Sequence, residues 1–241
     1  MANPLARKLQ RYVRLSDADR IWLAEALGPT RTIPAHSDII REGEDPRAVN
    51  VILDGWAYRY RQLKDGRRQI VSILLPGDLC DPHIFLLDRM DHTISTVTPV
   101  SLAQIAGRTL QDLTARSSVL DEALMREGLA TAAVQREWTV SLGRRSGIER
   151  LAHLLCELHV RLEAVGLADA TGCPFPLTQA DMADALGQSP VHVNRALQDL
   201  RSTGLISLNK RRLTVHDRAG FVEFAEFDPI YLHFTVEATH A

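Results

Sequence analysis

Between about residues 30 and 106, short apolar runs with partial two-residue alternation are separated by turn residues. Residues 58–63 alternate most clearly, and Gly66 in the turn that follows accepts the positive φ that a hairpin needs. Turn residues at intervals of 11 or 12, with strand-like runs between them, are typical of a β-sandwich or barrel, which we predict here. The regularly spaced glycines are Gly43, Gly55, Gly66 and Gly77.

From about residue 110 to residue 142 the apolar positions recur instead at helical spacing, and proline is absent. A helix of about 30 residues is roughly 45 Å long. It needs a partner along most of its length, because packing supplies most helix stability. We expect a long dimerisation helix over residues 109–142, with two shorter helices broken near Gly128 as the alternative. The stripe comprises Leu113, Leu120, Leu124, Thr131, Trp138 and Leu142.

A second helical stripe runs from Ile148 to Leu162 and ends at Gly166, before proline-rich sequence that cannot continue a helix. We place the main boundary near residue 143. The chain then divides into a β domain with N-terminal helices (1–108), the central helix (109–142) and a C-terminal domain (143–241). We expect the aromatic residues of the tail to dock on the protein's own surface, with contact to a partner as the alternative.

Residues 177–202 predict two short helices joined by a tight turn. Thr178 with Asp181 three residues later forms a capping box, and Gly187 suits the left-handed position after a helix. Ser189 and Pro190 then favour a second start, as N-cap and first helical residue. Two helices connected so briefly must cross steeply, which predicts a helix-turn-helix.

The second of these helices separates into two faces at 100° per residue. Val193, Leu197 and Leu200 share one side with Ala196, whereas Arg195 lies opposite. An exposed helix fits the DNA major groove, where an arginine donates two parallel hydrogen bonds to guanine O6 and N7. Side chains and free N–H groups at the helix starts can bind phosphates.

Residues 205–215 predict a small hairpin, or wing, with three cations at its tip that would follow the phosphate backbone and make binding salt-dependent. Amphipathic helix pairs and solvated charges are common individually. Helix, tight turn, helix and basic hairpin in this order are far more specific for binding double-stranded DNA. The candidate DNA contacts are Thr178, Gln179, Ser189, Val191, His192, Asn194, Arg195, Gln198, Lys210, Arg211 and Arg212.

Composition fits a soluble globular protein: 241 residues, 45% apolar, 24% charged, and a net charge of −2. Nine Lys/Arg against seven Asp/Glu over residues 143–212 make any basic patch local. The chain has no apolar run of 18 residues, and its start lacks the apolar core of a signal peptide. Three scattered cysteines make no disulfide framework, so we expect a cytoplasmic protein without a membrane segment.

Over nearly its whole length the chain resembles the Crp/Fnr family of bacterial transcription regulators. The resemblance implies an α+β fold: an N-terminal β-roll (jelly-roll-like, a double-stranded β-helix), a long dimerisation helix and a winged helix-turn-helix. It also implies a homodimer whose recognition helices enter successive major grooves about 34 Å apart on a near-palindromic site, with RNA polymerase as a partner. Val191 stands where the family usually has a glutamate, which leaves one base pair of the half-site in doubt.

The resemblance also suggests where an effector would bind. Family members that bind cyclic nucleotides follow the Pro-Gly turn with Gly-Glu, a short helix and an arginine for the phosphate. Here Asp78 takes the place of the glutamate. The position that corresponds to the arginine is occupied by Met90-Asp91, and Arg89 lies one residue before it. This sequence argues against a cyclic nucleotide.

Two other effector chemistries follow from the cysteines. No cysteine precedes Cys80, which argues against the N-terminal iron–sulfur cluster of oxygen-sensing members. Cys80 and His83 are candidate ligands for haem iron or another metal, with a buried thiol and a solvent-exposed imidazole as the alternative. Cys156 is expected in the core.

The alternative function is a cupin-like metal-dependent enzyme built on the β domain, with His36, His83 and His92 as candidate ligands. Such a site needs two histidines as His-x-His, and residues 30–106 contain none. An enzyme would also leave the winged region unexplained, so we predict a DNA-binding regulator. A regulator that senses no ligand at all stays an alternative.

Overall fold

The computed structural model describes residues 3–235, so the first two residues of the predicted β domain and the last six of the C-terminal domain lie outside it. The chain forms two compact units. One consists of residues up to Tyr60, Ile73–Ala132 and the segment from Leu232 onward. The other consists of Arg61–Ser72 and Ala133–Tyr231.

The first unit begins with two short helices, α1 (Pro4–Leu9) and α2 (Asp17–Ala26). Eight strands follow along the chain, of which the fourth ends and the fifth begins in the second unit, and a 3-10 turn lies between the sixth and seventh. The strands are β1 (Arg31–Ile33), β2 (Asp38–Ile40), β3 (Ala48–Asp54), β4 (Ala57–Gln62), β5 (Arg68–Leu74), β6 (Leu79–Cys80), β7 (Thr93–Thr96) and β8 (Val100–Ala106).

These strands form two four-stranded sheets, ordered β1-β8-β3-β6 and β2-β7-β4-β5. Strands distant in sequence are neighbours in each sheet, as in a jelly roll. Val51 lies opposite Ala103 in the antiparallel β3–β8 pair, and both are buried in the core. The predicted β-roll is therefore confirmed.

The regularly spaced glycines occupy turns as predicted, with φ between 83° and 96°. Gly55 shows why the residue type matters, because a Cβ there would lie 2.2 Å from the carbonyl oxygen of Pro99. Alternation in β4, in contrast, does not produce alternating burial. Tyr58 and Arg59 are both buried, since the Arg59 guanidinium donates to the Leu79 carbonyl oxygen at 3.3 Å.

The helical region after the roll consists of α3 (Gly107–Arg116) and α4 (Ser118–Arg144), which corrects the single helix expected from residue 109. Ser117 separates them in an extended conformation. Its hydroxyl accepts from the N–H of Leu120 at 3.2 Å and donates to Asp19 at 2.6 Å. The alternative break near Gly128 is wrong, because α4 passes through that residue without interruption.

The second unit contains the C-terminal helices and a small sheet. Its sheet has the order β10 (Ile206–Asn209), β11 (Arg212–Val215), β9 (Gly172–Pro174), and β9 was not predicted. The tail up to Tyr231 docks on this unit: Phe221 and Phe227 are buried, and the Tyr231 hydroxyl donates to Glu157 at 3.1 Å. The elements are α5 (Gly147–Ala164), β9 (Gly172–Pro174), α6 (Gln179–Leu186), α7 (Pro190–Ser202), β10 (Ile206–Asn209), β11 (Arg212–Val215) and α8 (Arg218–Phe224).

Cys156 lies in the core of this unit, as expected from its place on the helical stripe. Across residues 3–235, none of the helices combines the length and the apolar character needed to span a bilayer.

Candidate DNA interface

Helix α6 begins and ends where its sequence signals indicate. The Thr178 hydroxyl accepts from the N–H of Asp181 at 3.1 Å, and the Asp181 carboxylate accepts from the N–H of Thr178 at 3.0 Å. Gly187 ends the helix in the left-handed conformation, with φ of 61°. An N-cap of this kind stabilises a helix by about 1 kcal/mol. Residues within α6 and at its two ends therefore determine where the helix begins and where the turn to the next helix starts.

The first turn of α7 is held by a second cap. The Ser189 hydroxyl oxygen accepts from the N–H of His192 at 3.3 Å and lies 3.0 Å from His192 Nδ1. Pro190 is the first helical residue, where its missing N–H leaves no bond unmade. Ser189 and His192 therefore orient each other at the exposed start of the helix.

The two faces of α7 are separated as predicted. The inward face is buried, with Val193 and Leu200 fully inaccessible to solvent. The opposite face is open along its whole length. Its exposed side chains are Val191, His192, Asn194, Arg195, Gln198, Asp199 and Ser202.

Arg195 is the central residue of this open face. Its guanidinium is exposed and has no hydrogen-bond or ion-pair partner within residues 3–235. The side chains of Asn194 and Gln198 likewise have no partner in the described part of the chain. The Arg195 guanidinium therefore has N–H donors that no other group of the described chain uses. Their geometry matches the two acceptors of guanine, O6 and N7.

Arg201 follows a different pattern on the same helix. Its Nη2 donates to the carbonyl oxygen of Leu208 on β10, at 2.7 Å. This hydrogen bond links the end of α7 to the wing, so Arg201 is a structural residue rather than a solvated charge.

The wing carries its cations on a strained turn. Asn209 pairs with Arg212, which leaves Lys210 and Arg211 as a two-residue loop with φ of 48° and 60°. Positive φ at both positions is typical of a type I′ turn, which favours Asn-Gly. Non-glycine residues there cost on the order of 1 kcal/mol each or more. Two exposed cations held in this conformation indicate a functional constraint on the tip.

Two acidic residues of α6 are paired with an arginine within the second unit. Arg68 Nε donates to Asp184 at 2.7 Å, and Arg68 Nη2 lies 3.4 Å from Asp181. Both carboxylates belong to α6. Their pairing reduces the repulsion that they would exert on a nearby phosphate.

Thr178 and Gln179 lie exposed at the start of α6, and Arg212 lies exposed at the start of β11. The second unit thus brings all eleven candidate DNA contacts onto elements of one winged helix-turn-helix. Their contact with DNA stays a prediction.

The candidate effector residues of the β-roll have different surroundings. Asp78 is only 4% exposed, and its carboxylate accepts from the N–H of Leu75 at 2.9 Å and from Lys8 Nζ at 2.7 Å. Lys8 also donates to Glu127 on α4 at 2.8 Å. Asp78 is therefore part of a buried charge network.

Cys80 is buried on β6, and burial raises the pKa of its thiol to about 12. The neutral thiol is the stable form, which does not favour metal ligation. His83 is exposed, and Arg89 donates to the carbonyl oxygen of Gly43 at 3.1 Å. Within the described residues, no group of three or more His, Cys, Asp or Glu side chains is placed to hold a metal.

The roll also contains a buried polar cluster that was not predicted from the sequence. Arg59 Nη2 lies 3.1 Å from Asp81 Oδ1, and His92 Nε2 lies 3.3 Å from Asp81 Oδ2. Burial alone would raise the pKa of Asp81. Arg59 and His92 together have a larger effect in the opposite direction, so the pKa of Asp81 lies below its ordinary value. Burial lowers the pKa of His92, but the nearby carboxylates of Asp81 and Asp91 raise it above its ordinary value. No local pattern joins residues this far apart in sequence.

Two family models match this chain. The model described as a cyclic nucleotide-binding domain matches residues 30–117, and the one described as a Crp-like helix-turn-helix domain matches residues 149–224. The nitrogen fixation regulation protein FixK of Bradyrhizobium diazoefficiens is 30% identical over 207 residues, which are 84% of each chain. The transcriptional activator protein FnrL of Cereibacter sphaeroides is 27% identical over 216 residues, 88% of this chain and 86% of FnrL.

The solved structure of FixK2 from Bradyrhizobium japonicum has the same fold, with a TM-score of 0.70 and 24% identity over 81% of this chain and 96% of that one. A cyclic-nucleotide-binding-like β-roll and a winged helix-turn-helix define a DNA-binding transcription regulator. The chain belongs to the Crp/Fnr family. Members of this family are not enzymes, so the cupin-like alternative is wrong.

Proposed function

We propose that this regulator binds DNA as a homodimer, with the exposed face of α7 in the major groove of each half of a near-palindromic site. The observation that carries the proposal is the Arg195 guanidinium, which is exposed and has no partner in the described chain. Bidentate donation to guanine O6 and N7 is the commonest specific contact of an arginine with DNA.

The other candidate contacts have complementary roles. Asn194 and Gln198 flank Arg195 and can reach neighbouring base edges, because both lie on the open face. Thr178, Gln179 and Ser189 lie at the starts of α6 and α7, where free N–H groups also point outward and bind phosphate. The wing cations supply further, sequence-independent attraction to the backbone.

The dimer is supported by an apolar stripe on α4. Met125, Leu129 and Val140 are exposed by 57%, 65% and 49%, respectively, although the helix also has a buried side. Met125, Leu129, Ala132 and Thr139 follow spacings of four, three and seven residues, which fit the heptad of a coiled-coil seam, and Val140 adjoins Thr139. A second copy of α4 is the partner that such a repeat fits, since both helices then bury the same stripe.

The relative FnrL is called a transcriptional activator. We extend this role to the present chain, which makes RNA polymerase a partner and the cytoplasm the site of action. The β-roll would then receive the signal, and α4 would carry it to the second unit.

The residues of the roll do not fit a cyclic nucleotide. Asp78, in the place of the ribose-binding glutamate, already accepts from Lys8 and from the backbone. Met90 is buried where the phosphate would need a cation, and the neighbouring Arg89 binds the Gly43 carbonyl. We therefore propose an effector other than a cyclic nucleotide. The buried, protonated Cys80 also gives haem little support as that effector.

The test is selection of duplexes from a random library by the purified full-length protein, followed by titration of the selected duplex. We expect a two-fold-related sequence with half-sites about one helical turn apart. Sedimentation of the complex should give two chains per duplex. Selection of no preferred sequence, or a single chain on a single half-site, would contradict the proposal. Cyclic AMP should leave the affinity unchanged.

A further inference from the structure

Val191 is an unusual side chain for the surface on which it lies. Among the large apolar residues of the described chain it is the most exposed, at 78%. It lies in the first turn of α7, on the open face with Arg195. Single exposed apolar residues are common on proteins, so exposure alone identifies no role.

Val191 also lies close to the arginine proposed to contact a base. Val191 precedes Arg195 by four residues, so the two side chains share one side of the helix, about 6 Å apart along its axis. Base pairs are stacked about 3.4 Å apart, which places Val191 within one or two base pairs of the guanine that Arg195 would contact. The neighbours of Val191 on this face are polar, namely His192 and Asn194.

The chemistry of the groove then limits what Val191 can recognise. It has no acceptor for the cytosine N4 amino group and no donor for purine N7. The C5-methyl group of thymine is the apolar group that base edges present in the major groove. We propose that Val191 reads a thymine in each half-site by packing against this methyl group. This inference rests on the proposed function, because it requires α7 to lie in the groove.

The experiment removes only the methyl group from the DNA. In the duplex selected by the full-length protein, each thymine of a half-site is replaced in turn by deoxyuridine, which pairs identically. At one position, within two base pairs of the guanine, the affinity should fall about fourfold, the value expected for one buried methyl-sized group. Replacement in both half-sites should lower it about sixteenfold, since the two contributions add.

Protein variants assign the effect to this side chain. Val191→Ala should bind the thymine and deoxyuridine duplexes equally well. Ile230→Ala is the matched control, because it removes a side chain that is 73% exposed on the same unit but lies outside α7. It should keep the fourfold ratio. Val191→Glu should shift the preference at this base pair from thymine to cytosine, whose amino group the carboxylate accepts.

Two results would overturn the inference while leaving DNA binding intact. One is a ratio of affinities for the thymine and deoxyuridine duplexes that is the same for the wild type and for Val191→Ala at every position. The other is tighter binding of C·G duplexes by Val191→Ala with no methyl effect, which would mean that Val191 only excludes other bases. Failure of the proposed function gives a different result, because no duplex would then be selected or Arg195→Ala would bind as the wild type does.

Discussion

The open face of α7 and the interior of the β-roll both contain charged side chains, but the protein uses them in opposite ways. Arg195 has no partner in the described chain, whereas Arg59 is buried between Asp81 and the Leu79 carbonyl. Asp78 is likewise bound by Lys8 and by the backbone. A buried charge must be paired, and an exposed donor without a partner is available to a ligand.

This contrast separates stability from binding. Substitution of a paired charge in the roll should lower the free energy of unfolding, because it leaves the other charge buried alone. Substitution of Arg195 should change DNA affinity and leave the free energy of unfolding unaltered, because its guanidinium binds no other group of the described chain.

Lys8→Met should destabilise the protein by about 3–5 kcal/mol, because it leaves the carboxylates of Asp78 and Glu127 buried without their cation. Urea unfolding followed by circular dichroism measures this decrease. Lys64→Met, on the exposed β4–β5 turn, is the control and should lie within about 0.5 kcal/mol of the wild type. Equal stability of the two variants would show that the triad is not needed.

Arg195→Ala should weaken binding of the selected duplex by about 1–3 kcal/mol and relax the preference at one guanine per half-site. Fluorescence anisotropy titrations against duplexes with each base at that position measure both effects. Arg108→Ala removes an exposed arginine from α3 and should bind as the wild type does. An unchanged affinity and selectivity of Arg195→Ala would mean that a different surface reads the bases.

The wing should give a smaller effect that is the same for all sequences. Lys210→Asn combined with Arg211→Gly supplies the residues that a type I′ turn favours while removing two charges. The hairpin should be at least as stable as before. The slope of log affinity against log salt should become shallower by about 1 for each phosphate that the wing no longer binds. Weaker binding of the selected sequence alone would contradict a phosphate role.

The smallest effect concerns His92, whose pKa is raised in the folded protein. A raised pKa means that its contribution to stability is complete below the ordinary value of about 6.5 and is lost as the pH rises through the folded-state pKa. His92→Gln should therefore be less stable than the wild type by about 1 kcal/mol at pH 5.5, and the difference should shrink towards pH 8. A difference that stays constant over this range would exclude the ion pair with Asp81.

The helix-turn-helix could be predicted almost residue by residue because its signals are local. Thr178, Gly187 and Ser189 each specify a cap within three residues of their own position. Even the inward and outward faces of α7 followed from spacing alone. The strands of the roll were recognised as a group, since their turn glycines are local signals too.

The errors concern interactions between residues distant in sequence. Ser117 ends α3 because it binds Asp19, which lies 98 residues earlier, and no local pattern marks that position. Strand β9 contains Pro174 and forms only through pairing with β11. Arg59 is buried because Asp81, 22 residues later, supplies its counter-ion. The surroundings of the candidate effector residues could not be predicted from the motif either, because partners distant in sequence, such as Lys8 for Asp78, determine them.

The hydrogen bond between Arg201 and the Leu208 carbonyl has a consequence for how this regulator discriminates between DNA sites. It joins the end of α7 to the wing, which constrains the distance between the face proposed to contact bases and the cations proposed to contact phosphates before DNA binds. At a site with suitable bases but an altered groove width, α7 could contact the bases or the wing could contact the phosphates, but not both at once. Discrimination by duplex shape would thus accompany discrimination by base identity.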